Sequence, residues 1–129
     1  MRVTHTGGYR FEIEQRGHTV VCDQPRPGGG DTGMTPVELL GGSLGACIGV
    51  FAADYLVRNN LPVQGLTVDL EWQGASNPHR IGGYVVKVTV PTSLDERQRA
   101  SLGRLVKGCT VHNTLHHAPE VSIELIEKT

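Results

Sequence analysis

The spacing of apolar residues changes several times along the chain, and each change predicts an element. Residues 9–14 (YRFEIE) and 18–22 (HTVVC) are apolar-rich runs joined through Gln15-Arg16-Gly17, which predicts a β-hairpin. Residues 65–73 (GLTVDLEWQ) and 83–90 (GYVVKVTV) alternate apolar and polar positions and read as two further strands, and 121–127 (VSIELIE) as a last one. Between the strands lie helical stretches with start and stop signals. Thr35 suits an N-cap, Pro36 the first helical position and Glu38 the third, where its carboxylate closes a capping box; the helix then runs to about Asn59-Asn60, ahead of Pro62. Ser93-Leu94-Asp95-Glu96 repeats that logic and opens a helix through Lys107, with Gly108 as its stop. A short helix, TVHNTLHH, follows Cys109 and ends before Pro119. The order ββ–α–ββ–α–α–β lacks regular βα alternation, so the fold class is α+β, in a single domain spanning 1–129.

The long helix carries an anomaly. Its segment GGSLGACIGVFAADYL holds four glycines, each costing an interior helix position about 1 kcal/mol relative to alanine. At 100° per residue, Gly42, Gly45, Gly49, Ala52 and Ala53 gather on one side, while Cys47 sits opposite, among Leu40, Leu44, Val50 and Phe51. The small residues form a stripe that admits close packing, with the second helix or the same helix of another subunit as the expected neighbour. DQPRPGGGDTG, 23–33, immediately before this helix, is either an active-site loop or a plain linker.

Composition narrows the function. With 129 residues and 38% hydrophobic content the chain can bury one modest core. A net charge of −1 with interspersed signs gives no electrostatic reason for a nucleic-acid partner or an anionic membrane. The N-terminus lacks the apolar segment of an export signal, and the expectation is a soluble, cytoplasmic protein. Three cysteines, Cys22, Cys47 and Cys109, form no CxxC, which excludes a zinc ribbon and a thioredoxin-type motif. Cys22, on a strand, reads as packing. Cys47 lies mid-helix, out of reach of that helix's own N-terminus, and composition alone favours a buried, inert thiol. Cys109, at a helix head beside Lys107 and His112, has the better local electrostatics for a thiolate.

GGGDTGMTPVELLGGSLGAC followed by CTVHNTL closely resembles the OsmC/Ohr family, in its broad OsmC-like subgroup, over nearly the whole chain. The resemblance implies an intertwined homodimer in which antiparallel sheets wrap long central cysteine helices. It also implies a thiol peroxidase acting on organic hydroperoxides, with Cys47 as the peroxidatic and Cys109 as the resolving cysteine. A sulfenic acid on Cys47 would condense with Cys109 to a disulfide that a cellular thiol or dithiol reduces, with no cofactor. In the family an arginine from the N-terminal region ionises the peroxidatic thiol and is held by a glutamate near the start of the cysteine helix.

This sequence departs from that pattern. Where the peroxidase branches carry the glutamate, ten residues before the cysteine, this chain has Val37; Glu38 is the carboxylate available, about 180° around the helix from Cys47. Arg26, in the glycine–proline loop, is the arginine best placed in sequence, ahead of Arg16 and Arg10. Cys47, Cys109, Arg26 and Glu38 are therefore the candidate catalytic set. The missing glutamate keeps a second function open, a non-enzymatic, stress-associated protein holding a small apolar ligand near Leu44, Cys47 and Phe51. His112 and His116, spaced i, i+4, share a helix face, but no third ligand stands in register and no metal site is expected. His112, one turn beyond Cys109, could instead orient or deprotonate that thiol.

Overall fold

A computed structural model describes residues 1–128. Its elements are β1 (Arg2–Gly7), β2 (Arg10–Gln15), β3 (His18–Cys22), α1 (Pro36–Arg58), β4 (Thr67–Ala75), β5 (Arg80–Thr89), α2 (Glu96–Val106) and α3 (Thr110–His116). Mixed helices and antiparallel strands confirm the α+β class. The chain divides into two compact units, Met1–Ser43 with Trp72–Gly83, and Leu44–Glu71 with Tyr84–Thr129.

The first unit holds the three-stranded sheet β1-β2-β3. The predicted hairpin closes where Gln15 pairs with His18, and Arg16 and Gly17 take φ of 52° and 80°. Two successive positive φ values suit the twist of a two-residue hairpin, which is why Gly17 stands there. β1 was not expected from the sequence. Its residues RVTHTG are exposed along their whole length, so they show no in/out alternation, and pairing with β2 alone makes them a strand. After β3 the chain enters a loop organised by Asp23, whose side chain is 2% exposed. Asp23 accepts from the Thr32 hydroxyl at 2.6 Å, the Thr32 amide at 3.1 Å and the Gln24 amide at 2.7 Å. The Thr32 hydroxyl and then the Gln24 amide hold this carboxyl below its usual value.

In the second unit the core gathers Leu44, Ile48 and Cys109, with Phe51, Val68, Leu70, Tyr84, Val86, Val88, Val106 and Val111 packed against them. Here part of the glycine stripe finds a neighbour within the chain, and it is a strand rather than the second helix. A Cβ at Gly45 would lie 2.5 Å from Leu70 Cδ1, and one at Gly49 would lie 3.6 Å from Val68 Cγ2. Those side chains belong to β4, so the glycines let a strand's branched side chains press against the helix. Gly42 is not part of this contact, since a Cβ there would meet nothing within 4 Å. α1 is also long and apolar enough to cross a membrane, yet its Ala52 and Leu56 are fully buried within the fold.

Several boundaries moved. α1 ends as expected: Asn60 adopts φ 56° and the Leu61 amide reaches back to Leu56 O at 2.9 Å. α2 starts two residues later than Ser93 suggests, because Asp95 accepts from the Gln98 amide at 2.7 Å while Gln98 Oε1 accepts from the Asp95 amide at 3.0 Å. That reciprocal box outcompetes the one that Ser93 and Glu96 offered. β4 and β5 are displaced by two or three residues and meet across Ser76–His79. Finally, 121–127 is not a strand. An extended segment becomes one only when a neighbour takes its backbone hydrogen bonds, and none of the described strands does so.

Candidate active site

Cys47 is the fourth residue of the second unit's portion of α1 and is half-buried, packed against the cluster that contains Cys109. Cys109 is fully buried and N-caps α3: its backbone is extended (φ −66°, ψ 146°), and its sulfur accepts from the His112 amide at 3.3 Å. Sulfur takes here the place usually filled by a Ser, Thr or Asp oxygen. Both thiols are free and adjacent.

Their environments push them apart. The backbone amide of Val111, then the Cys109 thiol and the Thr110 amide, face the Cys47 sulfur and hold its pKa below the ordinary thiol value, although partial burial works against them. Burial pushes Cys109 up, and the neighbouring Cys47 sulfur adds to that. The sequence argument had the order reversed. It denied Cys47 any helix N-terminus because its own helix begins far away, whereas the amides come from the start of α3. It favoured Cys109 for its position at a helix head without allowing for complete burial. The result is one thiol disposed to ionise and a second disposed to stay protonated beside it.

The other expected residues are placed as follows. Glu38 Oε2 accepts from the Thr35 amide at 2.7 Å, and the Glu38 amide donates to Thr35 Oγ1 at 3.2 Å, so this carboxylate closes the capping box. Arg26 is exposed in the loop after β3 and forms no ion pair among the described residues. Both belong to the first unit, and Cys47 and Cys109 to the second. His112 meets Cys109 through its backbone amide, and its ring Nε2 lies 3.1 Å from Nε2 of His116. The groups that sequence reasoning missed are the backbone amides of Thr110 and Val111. Their signal was the stretch CTVH, a cysteine directly before a helix, read only for what the amides do to Cys109 itself. Cys22 is 5% exposed, in line with a packing role.

The family described as "OsmC-like protein" matches residues 28–124, a span that contains both thiols and α1 to α3. The chain belongs to the OsmC-like family. Solved structures agree in fold. A candidate osmotic stress induced and detoxification response protein from Psychrobacter arcticus superposes with a TM-score of 0.79 at 21% identity, covering 88% of this chain and 85% of that one. An OsmC-like protein from Mycoplasma pneumoniae gives 0.71 at 18% identity, covering 91% and 86%. An organic hydroperoxide resistance protein from Legionella pneumophila gives 0.65 at 16% identity, covering 88% and 87%. No curated protein matches the sequence. At these identities the likeness establishes an OsmC-like fold.

Proposed function

We propose that this OsmC-like chain is a cysteine-based peroxidase that reduces organic hydroperoxides. The observation that carries the reading is the adjacency of two thiols with opposite tendencies, Cys47 held toward its thiolate and Cys109 toward its thiol. The Cys47 thiolate attacks the distal oxygen of the hydroperoxide. The O–O bond breaks, the alkoxide leaves and takes up a proton as the alcohol, and Cys47 becomes a sulfenic acid. The sulfur of Cys109 then displaces water from that sulfenic acid, giving a Cys47–Cys109 disulfide, which a thiol or dithiol reductant opens by exchange. No cofactor enters the cycle. Arg26 is the proposed cation of the site, free of ion-pair partners in its loop. Glu38, engaged with Thr35, contributes by fixing the start of the helix that carries Cys47.

The working form in this reading is a homodimer in the cytoplasm. Val121, Ile123, Leu125 and Ile126 are between 78% and 93% exposed, more contiguous apolar surface than an isolated chain keeps in water. Their extended segment suits strand pairing on a second copy. Three free cysteines suit a reducing compartment.

Titrating reduced protein with cumene hydroperoxide, with thiol counting and peptide mass spectrometry, tests the chemistry. The expected result is loss of two thiols per chain and a Cys47–Cys109 disulfide, with the remaining thiols, Cys22 and Cys109, spared in Cys47→Ser. Thiols that survive excess peroxide would overturn the reading and leave the non-enzymatic, apolar-ligand alternative that Val37 keeps open.

A further inference from the structure

The thiol chemistry leaves one pair of titratable side chains unexplained. His112 and His116 face each other on α3, with ring centroids 4.4 Å apart, planes inclined by 55° and Nε2 atoms 3.1 Å apart. We infer that His112 and His116 form a bidentate site for a borderline divalent transition metal, of the Zn2+ and Ni2+ class, on the outer face of α3.

The argument rests on spacing and ligand chemistry. Two imidazole nitrogens bound to one such ion at about 2.05 Å lie about 2.9 Å apart for a right-angled pair and about 3.3 Å apart for a tetrahedral one. The observed 3.1 Å, a hydrogen bond between the two ring nitrogens, falls between the two, so an ion replacing the shared proton finds the nitrogens at the separation it needs. Imidazole is the ligand type this class of metal takes, while magnesium and calcium require oxygens. In His112 the buried Nδ1 has no hydrogen-bond partner among the described residues, so the ring's polar contacts are concentrated at Nε2, the atom that meets His116. His116 is exposed, which opens the site to solvent. No third His, Cys, Asp or Glu completes a cluster among the described residues, so water or an exogenous ligand fills the other positions. Such a site is a reversible clasp, unlike the closed four-ligand cage of a structural zinc.

The clasp has a mechanical consequence. α3 has seven residues, too few to hold helical form without outside support, and it carries Cys109 at its head. An ion joining i and i+4 binds the helical state alone and so stabilises it by mass action.

Equilibrium dialysis of the reduced, full-length protein against Ni2+ tests the site, with His116→Ala and His112→Ala as the decisive variants and His117→Ala as the neighbour that the pair excludes. Each of the first two should weaken Ni2+ binding at least tenfold, and His117→Ala should leave it unchanged. Because His116 is exposed, its variant keeps the test valid even if His112→Ala misfolds. Co2+ added to the wild type should give imidazole-type visible bands without intense thiolate charge transfer. Wild-type Ni2+ affinity in His116→Ala, an equal loss in His117→Ala, or a strong thiolate band with Co2+ would each overturn the proposal.

Discussion

At the start of α1 the free helix amides are taken by oxygen. Thr35 and Glu38 exchange bonds of 2.7 and 3.2 Å, and Pro36 has no amide to satisfy. At the start of α3 the amides meet sulfur: the His112 amide donates to Cys109, and those of Thr110 and Val111 face Cys47. An oxygen cap closes on its own helix. A sulfur cap satisfies one amide weakly and leaves two others directed at a second thiol. The same rule about unsatisfied helix ends therefore yields a structural joint in one place and an ionisable nucleophile in the other.

The largest effect should come from removing the sulfur that the spare amides face. Cys47→Ser should abolish hydroperoxide consumption and delete the lowest thiolate step in the absorbance at 240 nm as pH is raised. In the wild type the first step belongs mainly to Cys47 and falls below the ordinary thiol range, so the rate with peroxide rises with pH through that step and then levels off. Cys109, with its pKa raised, ionises only at higher pH. The linkage signs are opposite. Cys47 contributes stability that is present above the unfolded thiol's pKa and is lost as pH falls through its depressed folded value. Cys109 contributes stability that is present below the unfolded pKa and is lost as pH rises through its raised folded value. A lower step that survives in Cys47→Ser would mean the amides of α3 act on a different sulfur.

Thr110→Pro isolates the helix end from the fold. Thr110 is the first residue of α3, and Cys109 before it is already extended at ψ 146°, so proline fits both φ and its predecessor. The substitution deletes one amide that faces Cys47 and little else. Alkylation of Cys47 at neutral pH should slow roughly tenfold, the scale of one hydrogen bond to a charged group. The thermal midpoint should stay near the wild-type value. Unaltered alkylation would assign the low pKa of Cys47 to other groups.

Sequence showed the α1 side of this comparison almost completely. Thr35, Pro36 and Glu38 signal locally, through residues three apart, and the helix formed where they placed it. It placed Cys47 and Cys109 on the right elements but inverted their electrostatics, because pKa depends on which amides arrive from elsewhere and on burial, neither of which is a local property. The glycine stripe shows the same boundary. That Gly45 and Gly49 admit something close was legible from the helical period, whereas the identity of Leu70 and Val68 as the intruding groups required the tertiary structure. Residues 121–127 have a strand's alternation, but whether a strand forms depends on a neighbouring edge, which no residue within the segment encodes.

A smaller effect belongs to Gly42, beside the glycines that do meet β4. Gly42→Ala places a methyl group in open space and replaces the poorest ordinary helix former with the best. It should raise stability by up to about 1 kcal/mol in denaturant unfolding. A loss of stability instead would show that a second copy of the chain covers this part of α1.

The smallest expected effect separates cap from chemistry at Glu38. Glutamine serves the capping box as well as glutamate does, since both offer an oxygen to the N-cap amide. Glu38→Gln removes only the charge, which near a helix N-terminus contributes about 0.3–1 kcal/mol. The midpoint in urea should fall slightly, while the Cys47 titration and the rate with cumene hydroperoxide stay at wild-type values. Thr35→Ala provides the scale, because it removes the hydroxyl that accepts from the Glu38 amide and should cost about 1 kcal/mol. A large loss of peroxide turnover in Glu38→Gln at unchanged stability would end the contrast between the two helix starts. The carboxylate of α1 would then act in the chemistry, and the oxygen-capped end would be as much a part of the active site as the sulfur-capped one.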